Sequence, residues 1–156
     1  MESAAPHVAV IGASNASPAQ ERAAEEVGRG LGAAGAVVIN GGGGGVMAAA
    51  SRGASSAGGV VVGILPGLDR RAANQWVAVA LATGLGELRN GLIVRAVDAV
   101  VAVGGAYGTL SEIALALAAD VPVVGLETWE IDGVQAVQSP SAAVRRALEI
   151  AGGASP

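Results

Sequence analysis

Short, continuous apolar runs rich in valine punctuate the chain at residues 7–12, 36–40, 60–65, 76–82, 99–103 and 121–126. Continuous rather than alternating runs predict strands covered on both faces, the pattern of a parallel sheet. Between most of them lie segments carrying helix signals, over residues 17–35, 46–57, 87–97, 109–119 and 140–151. The first opens on "SPAQ", where Ser17 suits the N-cap, Pro18 the first helical position and Gln20 the return bond of a capping box. The order reads β-α-β-α-β, then a strand at residues 76–82 after a short linker, then α-β-α-β-α. This predicts one doubly wound, Rossmann-like α/β domain over residues 1–151, its mostly parallel sheet of about six or seven strands flanked by helices on both faces. The closing "GGASP", residues 152–156, is expected to fray.

In such sheets ligands bind beyond the carboxyl ends of the strands, near the switch in strand order. That directs attention to "GASNAS", "NGGGGG", "LPGLD", "TGLGELRN" and "GGAYGT", the loops after the first five strands.

Composition narrows what those loops can do. All nine cations are arginines and they are scattered, with a net charge of −4, so a nucleic-acid partner is not expected. The chain has no lysine and no cysteine and a single histidine, His7, at the entry of the first strand. A pyridoxal phosphate Schiff base and a lysine-bearing P-loop are therefore impossible. A metal site and a Ser-His-Asp triad are disfavoured for the same reason. The longest uncharged stretch, residues 30–51, holds eight glycines and Asn40 and makes a poor membrane span. With no leader pattern at the start, a cytoplasmic location is expected.

Three stretches carry candidate chemistry. In "INGGGGGVMAAA" five glycines, Gly41, Gly42, Gly43, Gly44 and Gly45, lead from a strand into a helix and would bare backbone N–H groups at a positive helix end, where a phosphate fits. A close-packed turn would use glycines too, and Met47 beside them reads as core. In "TGLGELRNG" Arg89 and Asn90 fall in the first turn of a helix whose Leu88 and Leu92 can face the core. A cation there opposes the helix dipole, which marks either a functional position or an ion pair to Glu87 or Glu112. In "VGGAYGTLSEIALAL" Thr109 and Glu112 make a capping box if Thr109 is the N-cap, a pair the helix could want for stability alone. Their convergence with the other two loops at one sheet edge favours a site.

Together "GGGGGVMAA", "RNGLI" and "GGAYGTLSE" resemble the Lonely Guy (LOG) superfamily, once misnamed lysine decarboxylases, whose marks are GGGxxGLMG, an arginine-led helix start and PGGxGTxxE. The chain looks closest to the small bacterial nucleotide-binding branch that includes molybdenum cofactor carrier proteins. The resemblance implies a nucleotide or phosphoribosyl ligand and a homodimer or homotetramer. It places phosphate on Gly108 and Thr109, with Gly12, Ser14, the glycine run, Asn90, Gly105 and Tyr107 around the ligand. Arg89 and Glu112 would be catalytic, at the ribose and the N-glycosidic bond of a nucleoside 5′-monophosphate, in a phosphoribohydrolase that requires no cofactor. The alternative is a carrier that holds the molybdenum pterin cofactor without reacting it. Three departures favour binding over turnover: Gly104 stands where the motif has proline, Ala106 where it has its second glycine, and Asn90 where lysine follows the arginine.

Overall fold

The structure is a computed structural model that describes residues 4–153. Its strands are β1 (His7–Gly12), β2 (Val37–Asn40), β3 (Val61–Leu65), β4 (Val79–Ala82), β5 (Ala99–Val103), β6 (Val123–Leu126) and β7 (Val134–Val137). They form a single sheet in the order β4-β3-β2-β1-β5-β6-β7, with every pairing parallel. The chain winds outward from β1 to one edge, then returns to β5 and winds to the other. The switch in direction thus lies between β1 and β5, where a crevice opens at the carboxyl ends of the strands.

The helices are α1 (Pro18–Ala33), α2 (Val46–Ser56), α3 (Asn90–Arg95), α4 (Tyr107–Ala118) and α5 (Pro140–Gly153). Side chains of α1, α2 and α5, such as Val27, Leu31, Ala50 and Ala143, pack with Val8, Val10, Val38 and Val101 on one face of the sheet. On the other face Ile93 and Val94 of α3 and Ile113 and Ala116 of α4 pack with Ala9, Ile11, Val100 and Ala102. This core is aliphatic throughout, so its layers can approach closely. The contact between α1 and α2 shows it: a Cβ on Gly28 would run into the carbonyl of Ala50, and one on Gly53 into the carbonyl of Glu25. No helix among the described residues is long and apolar enough to cross a membrane.

The doubly wound sheet and the Ser17–Gln20 capping box agree with the sequence reading; Gln20 N–H donates to Ser17 Oγ at 3.2 Å and Ser17 N–H to Gln20 Oε1 at 3.0 Å. Elsewhere the structure corrects it. The fourth strand is confined to Val79–Ala82, because Asn74 turns the chain by accepting from Trp76 N–H, and the Trp76 ring packs under the Arg52 guanidinium. The helix expected over residues 87–97 is a 3-10 turn, Gly86–Arg89, followed by α3. That change of pitch shifts the apolar phase: Leu88 is 78% and Leu92 45% exposed, while Ile93 and Val94 are buried. Helix α4 starts at Tyr107, not Thr109, so Thr109 is its third residue and Ala106 its N-cap. The final helix takes in Gly152 and Gly153, expected to fray, and residues 154–156 lie outside the described residues. Strand β7 has no counterpart in the reading; as an edge strand it lacks the continuous apolar run.

Candidate functional site

A cavity of about 330 Å³ sits at the switch point. Gly12, Ala13 and Ser14 from the loop after β1 form one side, and Ala106, Gly108, Thr109 and Glu112 from the start of α4 the other. Gly41 and Met47 close it beside β2, and Pro66, Gly86, Glu87, Arg89 and Asn90 complete the wall. Val10 and Ile11 form an apolar floor.

The first turn of α4 makes this wall a donor surface. Thr109 Oγ1 accepts the N–H of its own N-cap, Ala106, at 3.2 Å, and Leu110 N–H bonds back to Ala106 O at 2.9 Å. The N–H groups of Tyr107, Gly108 and Thr109 are the helix's intrinsic orphans, at its positive end. A Cβ on Gly108 would meet nothing within 4 Å. Nothing in the protein's own packing asks for glycine there, whereas a ligand lying against the backbone would.

Arg89 is fixed by main chain. Its Nη1 donates to Gly41 O at 2.9 Å and to Ile64 O at 2.7 Å. Two carbonyls at the ends of β2 and β3 thereby offset the unfavourable placement of a cation at a helix start. Neither Glu87 nor Glu112 forms an ion pair with it. Its Nε is buried without an acceptor, an orphan donor on the only cationic side chain of the cavity wall. Burial pulls the guanidinium's pKa down, and the Glu112 carboxylate opposes that pull.

Glu112 is buried, with 9% of its surface exposed. Because it lies past the first turn of α4, it is released from the capping role the sequence allowed it. Burial raises its pKa to about 7, against a smaller opposing pull from Arg89. The site thus holds one permanent cation and one acid poised near neutrality. Among the described residues no cluster of His, Cys, Asp or Glu is arranged to hold a metal ion.

Residues 5–151 match the model of the SLOG cluster4 family. The chain belongs to the SLOG cluster4 family. An uncharacterized protein of Archaeoglobus fulgidus is 42% identical over 138 residues, covering 88% of this chain and 91% of that one. Among solved structures, the molybdenum cofactor binding protein of the phototrophic bacterium Rippkaea orientalis is 33% identical, with a TM-score of 0.89 over 94% of this chain and 97% of its own. The molybdenum cofactor carrier protein of Chlamydomonas reinhardtii is 30% identical, with a TM-score of 0.83 over 94% of this chain and 98% of its own. The motif resemblance thus narrows to this SLOG family.

Of the residues singled out in this SLOG cluster4 chain, Gly12, Ser14, Gly41, Arg89, Asn90, Gly108, Thr109 and Glu112 meet around the one cavity. Gly42, Gly43, Gly44 and Gly45, Gly105 and Tyr107 do not line it. Part of the glycine run answers to the fold: Gly42 and Gly45 have φ of +74° and +58°, and a Cβ on Gly45 would strike the carbonyl of Ala13. Gly105 lines a neighbouring depression with Gln20 and Trp129, and Tyr107 is 88% exposed. Asn90 points inward, its Nδ2 donating to Ser111 Oγ at 3.2 Å. Met47, read as core, lies on the wall, as do Glu87, read only as an ion-pair partner for Arg89, and Ala13, Pro66 and Gly86, which carried no sequence signal beyond their place in loops after strands. At the altered motif Gly104 has φ of +56°, a torsion closed to the proline it replaces, while Ala106 sits in ordinary extended backbone and is unstrained.

Proposed function

We propose that this protein binds the molybdenum pterin cofactor as cargo and holds it unreacted, in the manner of a carrier. The observation that carries this reading is the likeness, over nearly the whole chain, to proteins that bind or carry that cofactor. The site's chemistry suits it. A phosphate monoester needs a cation and N–H donors, which Arg89 and the first turn of α4 offer, with Gly108 leaving room for close approach. The heterocycle needs apolar walls and acceptors for its N–H edge; Val10, Ile11, Met47 and Pro66 supply the first, and Glu87 and Glu112 the second. The cavity is at the small end of the range for small-molecule sites, about 300–1,000 Å³.

One observation favours a second reading, hydrolysis of the N-glycosidic bond of a nucleoside monophosphate. A carboxyl with a pKa of about 7 beside a ribose could act as acid or base. One experiment separates the two. Protein loaded anaerobically with the molybdenum cofactor is passed through gel filtration, and molybdenum and pterin fluorescence are measured in the protein peak. In parallel, protein and adenosine monophosphate are assayed for free adenine and ribose 5-phosphate. Co-elution at close to one cofactor per chain with no base release is the expected result. Base release that vanishes in Glu112→Ala, with no cofactor retained, would establish the hydrolase instead.

We also infer a homo-oligomer. Leu88 at 78% and Tyr107 at 88% exposure flank cavity residues, and Leu85, Leu92 and Leu115 on the adjoining elements are also exposed. Such apolar surface suits a second copy. Leu88→Asp combined with Tyr107→Asp should shift the light-scattering mass from a dimer or tetramer to a monomer while circular dichroism is unchanged. An unaltered mass would place the interface elsewhere.

A further inference from the structure

The glycine run enters α2 through a loop held from behind by a residue that lies 30 positions or so along the chain, and neither the motifs nor the cavity wall includes it. Asn74 N–H donates to Gly42 O at 2.8 Å, and its Nδ2 donates to Gly43 O at 3.0 Å. The same Nδ2 lies 3.4 Å from Ser51 Oγ, and Oδ1 accepts Trp76 N–H at 3.2 Å. Below this, fully buried Asn40 accepts Gly42 N–H at 2.8 Å through Oδ1 and donates through Nδ2 to Ser51 Oγ at 2.9 Å and Met47 O at 3.2 Å. The amides of both asparagines are therefore fully engaged.

Peptide geometry turns these bonds into an orientation. In a planar trans peptide the C=O of one residue and the N–H of the next point in opposite directions. Holding Gly42 O and Gly43 O toward Asn74 therefore aims the N–H groups of Gly43 and Gly44 away from it. Among the described residues neither N–H has an acceptor. Neither glycine lines the cavity itself, but both lie next to residues that do: a Cβ on Gly43 would stand 2.8 Å from Met47 Cε, and one on Gly44 3.6 Å from Ser14 O. We propose that Asn74 is a positioning residue that presets the Gly43 and Gly44 N–H groups as anion donors at the rim of the site. Left to itself, a run of five glycines would lose much conformational entropy on binding; a fixed loop has already lost it on folding. The proposal rests on the phosphate-cradle reading above.

The test uses full-length, ¹⁵N-labelled wild type, Asn74→Ala and Asn74→Asp, the last keeping the backbone bond and the Trp76 contact while removing the Nδ2 donor. Amide order parameters are measured without ligand, followed by titration with adenosine monophosphate. In wild type the Gly43 and Gly44 amides should be ordered and should shift on titration. In both variants their order should fall and the Kd should rise about tenfold, with the unfolding temperature moving by only a few degrees. Unchanged order or unchanged Kd in both variants would overturn the proposal. So would wild-type binding that shifts Gly108 and Thr109 but leaves Gly43 and Gly44 untouched, an outcome that preserves the cradle. Absence of any shift in wild type, with no cofactor retained, would remove the functional reading along with it.

Discussion

Replacing Glu112 by glutamine is expected to raise the unfolding temperature at pH 8.5 by roughly 6–12 °C and to leave it nearly unchanged at pH 4.5. The carboxyl has an ordinary pKa of 4.5 and a value of about 7 in the folded protein, because burial penalises its charged form. Below pH 4.5 both folded and unfolded chains carry the proton, and the group has no effect. As pH rises from there, the unfolded chain releases its proton while the folded chain keeps it, so stability falls until pH passes 7. Above that the penalty is complete, about 3 kcal/mol from the size of the shift. Glutamine has the same shape and never ionises, and no hydrogen bond of the carboxylate is lost. Denaturation scans of both proteins at the two pH values decide it. An equal shift at both, or destabilisation at pH 8.5, would mean that the charge is accommodated in the folded site. The same titration bears on binding. An anionic ligand beside Glu112 favours the protonated acid, so wild-type affinity should fall as pH rises through 7, and the Glu112→Gln affinity should stay level.

The division between what the sequence made legible and what it hid follows interaction range. The central strands were readable because β1 and β5 are buried on both faces and must be apolar at every position. Edge strand β7 meets no such demand, and "VQAV" gave nothing to read. Ser17, Pro18 and Gln20 were readable because a capping box is closed within four residues. The same local logic misled at Thr109, since threonine followed by glutamate fits a cap whether the helix starts there or two residues earlier. Only the path of the Gly104–Gly105 turn, with φ of +56° and +147°, decides where α4 begins. At the site, the loops after β1 and β5 could be nominated from topology, and Arg89 from its conflict with the helix dipole. What resolves that conflict, the carbonyls of Gly41 and Ile64, is 48 and 25 residues away in the chain. The hold of Asn74 on the glycine run is equally remote, 31 residues from Gly43. Such contacts exist only once the sheet has assembled, and no spacing rule encodes them.

Arg89→Lys is expected to weaken binding of the molybdenum cofactor about 30-fold and Arg89→Met about 100-fold, with the fold intact in both. The wild-type guanidinium performs two tasks at once. Nη1 is committed to Gly41 O and Ile64 O and Nε is buried without an acceptor, while Nη2 has no partner among the described residues and is left for an acceptor in the cavity. A lysine ammonium can satisfy one carbonyl, or reach toward a phosphate, but has no rigid fork with which to do both. Methionine fills similar space and removes the wall's only cation, leaving the Glu87 carboxylate to repel an anion. Gly41 borders the cavity, where its carbonyl can bond to water, while Ile64 is buried in β3 and its carbonyl loses a side-chain partner, so stability should drop by about 1–3 kcal/mol. Pterin fluorescence retained after anaerobic gel filtration, measured across a dilution series, gives the affinities; circular dichroism confirms folding. Full affinity in Arg89→Lys would show that a point charge is enough and that the carbonyl clamp serves the fold alone. Equal, severe losses in the two variants would show instead that the clamp, and with it the position of the Gly41 peptide, matters more to the cargo than the charge.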